Sequence, residues 1–168
     1  MTNWIYYPLS KKPPGFVHDV VAVFDSVSSQ ISSDSTNLAS NEVLRHLLPG
    51  LEDLGFQVER GKRMEERIEV PVLFGAGGKP VKSFHADAYH RDYGCVIEVE
   101  AGRAVANNQF LKDLFQACMM HNVSHLVIAV RNVYRGNKDF ERMDNWFQTL
   151  FASNRVTLPL EGIALIGY

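Results

Sequence analysis

Glu98 and Glu100 stand two residues apart in Cys95-Val96-Ile97-Glu98-Val99-Glu100, a β-branched run followed by Gly102. Such a run predicts a central strand. Side chains alternate along a strand, so the two glutamates share one face while Cys95, Ile97 and Val99 share the other. An unpaired buried carboxylate is very costly, so these acids must reach the rim of the sheet or be compensated by positive charge. Asp87 lies on the preceding extended segment, and the turn His90-Arg91-Asp92-Tyr93-Gly94 brings it opposite the Glu98 region if the two segments pair as a hairpin. Three carboxylates with a backbone carbonyl and waters make an oxygen-only shell, which suits Mg²⁺ or Mn²⁺ better than zinc.

Other residues offer competing chemistry. Arg91 or Arg103 could neutralise Glu98 and Glu100 in a structural salt bridge. The spacing His85-x-Asp87-x-x-His90 could make a mixed histidine and carboxylate metal site, set against ordinary surface or hydrogen-bonded roles for the histidines. Tyr89, on the face of His85 and Asp87, either lines a groove or packs. Arg60, Lys62, Arg63 and Arg67, with Lys79, Lys82, Arg91 and Arg103 around the acids, form either a local basic face or ordinary solvated charge. Glu65, Glu66 and Glu69 read as a solvated face.

The elements that position these residues follow from periodicity. Phe16, Val17, Val20, Val21, Phe24, Val27 and Ile31 recur at helical spacing and predict a helix over 16–31. The serine-rich stretch Ser28–Ser40 reads as a linker, which makes residues 1–37 a helical appendage and linker on a single domain spanning 1–168. Val43, Leu44, Leu47, Leu48, Leu51 and Leu54 predict a helix from Asn41 to Gly55, with a kink or break at Pro49-Gly50. Phe56–Glu59 reads as a short strand. Arg67–Phe74 and Lys82–Tyr89 read as strands joined by Gly75-Ala76-Gly77-Gly78-Lys79-Pro80, with Pro71 marking an edge or a bulge. That glycine-rich turn precedes a strand and lacks the Gly-Lys-Ser/Thr spacing of a phosphate-binding loop. Leu111, Leu114, Phe115, Cys118 and Met119 predict an apolar helix stripe between Asn107 and His121. A strand at Leu126–Val130, a helix at Lys138–Ala152 with Phe140, Met143, Phe147, Leu150 and Phe151 inward, and a strand at Ile163–Ile166 complete the chain. No internal repeat is found. The order predicts an α/β fold, a mixed central sheet with helices on both faces.

The bulk properties agree with one globular domain: 168 residues, 46% hydrophobic, 21% charged. A formal net charge of −2 gives no whole-molecule attraction to polyanions, so a nucleic-acid partner needs a local basic face. Two cysteines, Cys95 and Cys118, both in apolar runs, favour free thiols over a disulfide or a zinc site. No apolar stretch is long enough to span a membrane, and Met1–Pro14 carries no signal-peptide pattern. A cytoplasmic protein without a membrane partner is expected.

From Asn41 to about Val130, the order of elements and the spacing Asp87…Glu98-Val99-Glu100 resembles the restriction-endonuclease-like PD-(D/E)XK nuclease superfamily. The resemblance implies a divalent-metal-dependent endonuclease that hydrolyses phosphodiester bonds, with DNA the expected substrate. Asp87 would be the motif's first acid and Glu98 its second, both holding Mg²⁺ or Mn²⁺. Glu100 occupies the position of the motif's lysine, as ligand or water-positioning group, and Ala86 stands where the motif's proline would be. Glu42 matches the upstream helix acid that supports the metal in many members. Lys112, on the helix after the motif, would supply the missing positive charge, unless it is an exposed lysine beside Asn108 and Gln116. The lysine replacement and the acidic net charge support an alternative, an inactive member of the fold that binds nucleic acid or protein. A third reading is a hydrolase of small phosphate esters using His85 and His90. A homodimer is left open as the assembly.

Overall fold

The computed structural model describes residues 2–102, 105 and 108–168; Arg103 and the expected helix start at Asn107 lie outside them. Six strands form the main sheet in the order β1-β8-β7-β6-β5-β2. They are β1 (Asn3–Tyr7), β2 (Gln57–Val58), β5 (Ala88–His90), β6 (Cys95–Glu100), β7 (His125–Val130) and β8 (Gly162–Gly167). A separate two-stranded ribbon pairs β3 (Ile68–Phe74) with β4 (Pro80–Ala86). The helices are α1 (Gly15–Ser26), α2 (Ser28–Ile31), α3 (Ser40–Asp53), α4 (Gln109–Met119) and α5 (Asp139–Ser153).

The β-branched run of β6 takes an interior place, antiparallel to β5 and parallel to β7. The parallel pairs β6–β7 and β7–β8 require crossovers, and α4 and α5 supply them. Strand alternation divides the core in two. Cys95, Ile97, Val99, Val127, Ala129, Ala164 and Ile166 face α1 and α3. Val96, Leu126, Ile128, Ile163 and Leu165 face α4, α5 and the ribbon. The sheet is therefore mixed and covered on both faces. No helix among the described residues is long and apolar enough to cross a membrane, and both cysteines are free thiols.

Several expectations about the first half need correction. Residues 1–37 are not an appendage: β1 pairs with β8 along its whole length, and Val17, Val20, Val21 and Phe24 of α1 lie in the core. The apolar periodicity of α1 was legible, but a lone edge strand has no hairpin partner in the nearby sequence to reveal it. The serine-rich stretch is tied down as well. Ser33 Oγ donates to the Tyr168 carbonyl at 2.5 Å, and the buried Arg131 guanidinium donates to Asn37 Oδ1 at 2.7 Å and to the Leu38 carbonyl. α3 runs through Pro49 without a break. Leu47 and Leu51 are fully buried on either side of it, and Gly50 is packed so closely against Val23 that an added Cβ would fall 2.7 Å from Val23 Cγ1. Packing there outweighs the missing proline N–H.

The helix after β6 is rotated from its expected phase. Phe110, Asp113, Leu114 and Ala117 are buried, whereas Phe115 and Met119 are 57% and 49% exposed. The ribbon's pairing slips between Pro71 and Phe74, where a bulge was expected. The expected single strand Lys82–Tyr89 is split at Asp87, with β4 in the ribbon and β5 in the main sheet.

The integration of α1 can be measured. Phe24→Ala, at a fully buried position, should lower the unfolding free energy in urea by about 3–5 kcal/mol. A loss below about 1 kcal/mol would place this helix outside the cooperative unit.

Candidate functional site

The split at Asp87 sets the geometry of the acids. Ala88 pairs with Ile97, so Asp87 stands one step beyond the ladder, opposite Glu98. There its Oδ2 accepts the Val99 N–H at 2.7 Å, while its carbonyl accepts the Glu59 N–H at 2.7 Å. These two bonds fix Asp87 between β2 and β6. Glu98 and Glu100 lean to the side of the sheet covered by α4 and the ribbon, because Cys95, Ile97 and Val99 occupy the other. Glu100 is held from below by its carbonyl, which accepts the Tyr168 hydroxyl at 3.0 Å.

These elements enclose a cavity of about 490 Å³. Asp87, Glu98 and Glu100 form its floor, Lys82 to Ala86 of β4 one wall, and Lys112, Asp113 and Gln116 of α4 the other; Glu59 and Ser40 complete the lining. Five carboxylates thus face one space. Two of them, Glu59 and Asp113, were missed in the sequence. Asp113 carried a usable signal: in Phe110-x-x-Asp113-Leu114-x-x-Ala117 an acid sits at the centre of an apolar stripe, and phasing the stripe on Phe115 and Met119 turned it outward.

Electrostatics follow from the enclosure. Burial raises the Asp87 pKa from 3.8 to about 7, against the lowering effect of the Val99 N–H. Burial and then the neighbouring charges of Asp87, Asp113 and Glu100 hold Glu98 well above the usual carboxylate range. Burial, then the like charge of Asp113 and a hydrogen bond with it, raises Glu100. Asp113 is raised by burial, with Glu100 and Lys112 pulling the other way. Lys112 Nζ lies 3.3 Å from Asp113 Oδ1; among the described residues, buried Asp113 Oδ2 meets no donor when both carboxyls are ionised, and the Glu100 carboxyl becomes its hydrogen-bonding neighbour when one of the two is protonated. Among the described residues, none of Asp87, Glu98 and Glu100 takes part in an ion pair. Arg91 does not neutralise them, and Arg103 lies outside the described residues.

Other expected site residues are placed elsewhere. Glu42 does not line the cavity; it sits in the first turn of α3 and its Oε2 accepts the Ala39 N–H at 2.8 Å, a helix-capping role. His85 lines the cavity wall, with Nε2 3.5 Å from Glu69 Oε1. His90 does not join it. It pairs with Cys95 three residues back along β6, stacks on Tyr93 at 3.8 Å between ring centroids and meets Phe56 edge-on, and its Nδ1 accepts the Tyr93 N–H. The two-histidine site is therefore not assembled. Tyr89 packs against the α4 side of the core. The basic segment is interleaved with acids: Arg60 pairs with Glu52, and Glu65, Glu66 and Glu69 line the same shallow surface as Arg60 and Arg67.

The donor set is all oxygen, as a hard divalent cation requires. Among the described residues, no group of three or more His, Cys, Asp or Glu side chains is gathered closely enough to be a ready-made metal cluster. The carboxylates that share the cavity are like charges, and convergence needs a counter-charge.

No protein-family model matches the chain, and no curated protein matches it either. Its fold is similar to the crystal structure of the restriction endonuclease BglII in complex with a DNA 16-mer, with a TM-score of 0.57 and 12% identity over 99% of this chain and 75% of that one. The fold is restriction-endonuclease-like.

The raised acids have a consequence for stability. Between its ordinary value and about 7, Asp87 keeps a proton in the folded chain that the unfolded chain has released, so folding is favoured below this window and the benefit is lost as pH rises through it. In metal-free protein, Asp87→Asn should therefore gain stability relative to wild type between pH 5 and pH 8, on the order of 3 kcal/mol. Urea titrations of both proteins across that range measure it, and a pH-independent difference would contradict the assignment.

Proposed function

We propose that this protein is a divalent-metal-dependent nuclease that hydrolyses phosphodiester bonds, with DNA as substrate and Mg²⁺ or Mn²⁺ as cofactor. The observation that carries the reading is the cavity in which Asp87, fixed by the Val99 N–H, stands beside Glu98 with no ion-pair partner for either among the described residues. The restriction-endonuclease-like fold and the DNA-bound state of the similar structure support phosphodiester chemistry over other uses of an acidic site.

Asp87 and Glu98 would hold the cation, with Glu100 as a further ligand or as the group that orients water. A bound cation supplies Lewis acidity, lowering the pKa of a coordinated water and offsetting charge on the phosphoryl oxygens. The chain's own residues do the rest. Burial of the carboxylates disfavours their ionised form, so the empty site holds protons and the loaded site releases them. Glu100 cannot stabilise a developing anion as a lysine would. Lys112, half exposed on the cavity wall, is the cation placed to approach a substrate phosphate. Lys82 and His85 on the ribbon wall face the same space and give the strand's backbone a partly basic border.

One observation favours the alternative, a binding module that has lost catalysis: Lys112 is engaged by Asp113. Cleavage decides between the two. Incubation with plasmid, single-stranded and branched DNA in Mg²⁺ or Mn²⁺ should nick or cut at least one substrate. Asp87→Ala should lower the rate by at least about 100-fold, the scale of losing a group that stabilises transition-state charge. Lys112→Ala should lower kcat with little change in DNA affinity. Equal inactivity of wild type and Asp87→Ala on every substrate, without cation binding, would remove the enzymatic reading; inactivity with tight DNA binding would leave the binding module.

A further inference from the structure

The ribbon of β3 and β4 has a role so far only at its base, where β4 walls the cavity. Each of its strands has seven residues, a reach of roughly 20 Å beyond Asp87. Its far end is apolar and open to solvent. Leu73, Phe74 and Val81 are 58%, 44% and 67% exposed there, whereas Val70 and Ala86 at the base belong to the core. Exposed apolar side chains gathered in one place mark an interaction site, as single scattered ones do not. The tip is also braced and bare. The Gly75 N–H donates to the Lys79 carbonyl at 2.8 Å and the Gly78 N–H to the Gly75 carbonyl at 3.1 Å, while an added Cβ on Gly77 or Gly78 would meet nothing within 4 Å.

Charge selects the partner. Between Glu69 and Asp87 the chain has no acid, and Lys79 and Lys82 fall in this stretch of a protein whose formal net charge is −2. Lys82 is the cross-strand partner of Leu73 and also lines the cavity. A ligand that reaches the acids therefore lies along a surface that is cationic and apolar together. We propose that the ribbon tip is a wedge for double-stranded DNA: Leu73 and Val81 enter a groove and open one base step, while Lys79 and Lys82 neutralise the flanking phosphates. The inference rests on the nuclease reading above and adds to it how a duplex is held. Apolar side chains placed between base steps partly unstack them and kink the duplex. The cost is least at pyrimidine–purine steps, so the wedge gives a preference for deformable sites without hydrogen bonds to base edges. Its reach confines the kink to within about six base pairs of the scissile phosphate, at about 3.4 Å per base pair.

The full-length Asp87→Asn chain, which the nuclease reading makes unable to cut, serves as the parent for the test. It is titrated in Mg²⁺ with a short duplex carrying 2-aminopurine at a TA step, anisotropy reporting binding and 2-aminopurine emission reporting unstacking. Binding by the parent should raise the emission. Adding Leu73→Ser with Val81→Ser should abolish the rise and weaken binding by roughly 10-fold without altering its salt dependence; adding Leu73→Met should keep the rise. Adding Lys79→Ala with Lys82→Ala should instead lower the slope of log affinity against log salt by about 1 per lysine. All four positions are exposed, so each variant should keep the parent's urea midpoint. Emission and affinity untouched by the serine pair would overturn the wedge and leave the nuclease reading standing. A dimer of the parent that the serine pair dissolves, with DNA binding unchanged, would also overturn it and give the tip to a second copy of the chain. A parent that binds no duplex would overturn the wedge alone if wild type still cuts DNA, and both readings if it does not.

Discussion

The structure turns on a concentration of like charge that the fold itself enforces. Glu98 and Glu100 are placed on one face of an interior strand by the period of two, and Asp87 is pinned beside them by the Val99 N–H. α4 then closes over them with Asp113 inward. None of these placements is optional. Moving the acids of β6 to the other face would require a register slip that buried Glu98 and Glu100 among Val17, Val20 and Leu47. Burial heads the causes of every raised carboxylate in the cavity, so desolvation favours their protonated forms wherever no positive charge neutralises them.

What the sequence made legible was the part governed by local period. The alternation of Cys95–Glu100 predicted the face of each side chain, and β6 keeps that phase against both core layers. The mixed sheet followed from a hairpin-rich first half and later strands separated by helices. What stayed hidden depends on distant partners. β1 joins the sheet only through β8, far along the chain, and no local pattern announces such an edge. Pro49 is a helix breaker by propensity, and only the burial of Leu47 and Leu51 and the approach of Val23 to Gly50 show why the helix continues.

The same distinction runs through the site. Asp87, Glu98 and Glu100 come together because they are near in sequence on a hairpin. Glu42 was expected there by analogy of position, but a glutamate in the first helical turn has a nearer use in capping its own backbone. A metal role for His90, the lesser of its two readings, rested on spacing along the chain. The split at Asp87 sends β4 into the ribbon and β5 into the sheet, so spacing along the sequence no longer measures distance in space. Asp113 was lost for the opposite reason: hydrophobic phasing treats an acid as a marker of the solvent side, and here the acid marks the interior.

That inversion bears on how such a cavity can be kept polar inside an apolar face. The layer containing Leu126, Ile128, Ile163, Leu165, Met143 and Phe147 extends up to the acids on one side, and the ribbon's Val70 and Ala86 approach from the other. If the ribbon were part of the main sheet, its strands would lie flat beside β5 and leave the acids open to water, where they would ionise freely. Because β4 instead rises from the sheet at Asp87, it forms a wall that removes solvent from the carboxylates while leaving the cavity open between β4 and α4. Desolvation of this kind costs stability in the empty protein and increases the attraction for a counter-ion by the same electrostatic effect. The bend at Asp87 is thus both the feature that brings the first acid to the second and the one that takes both out of water.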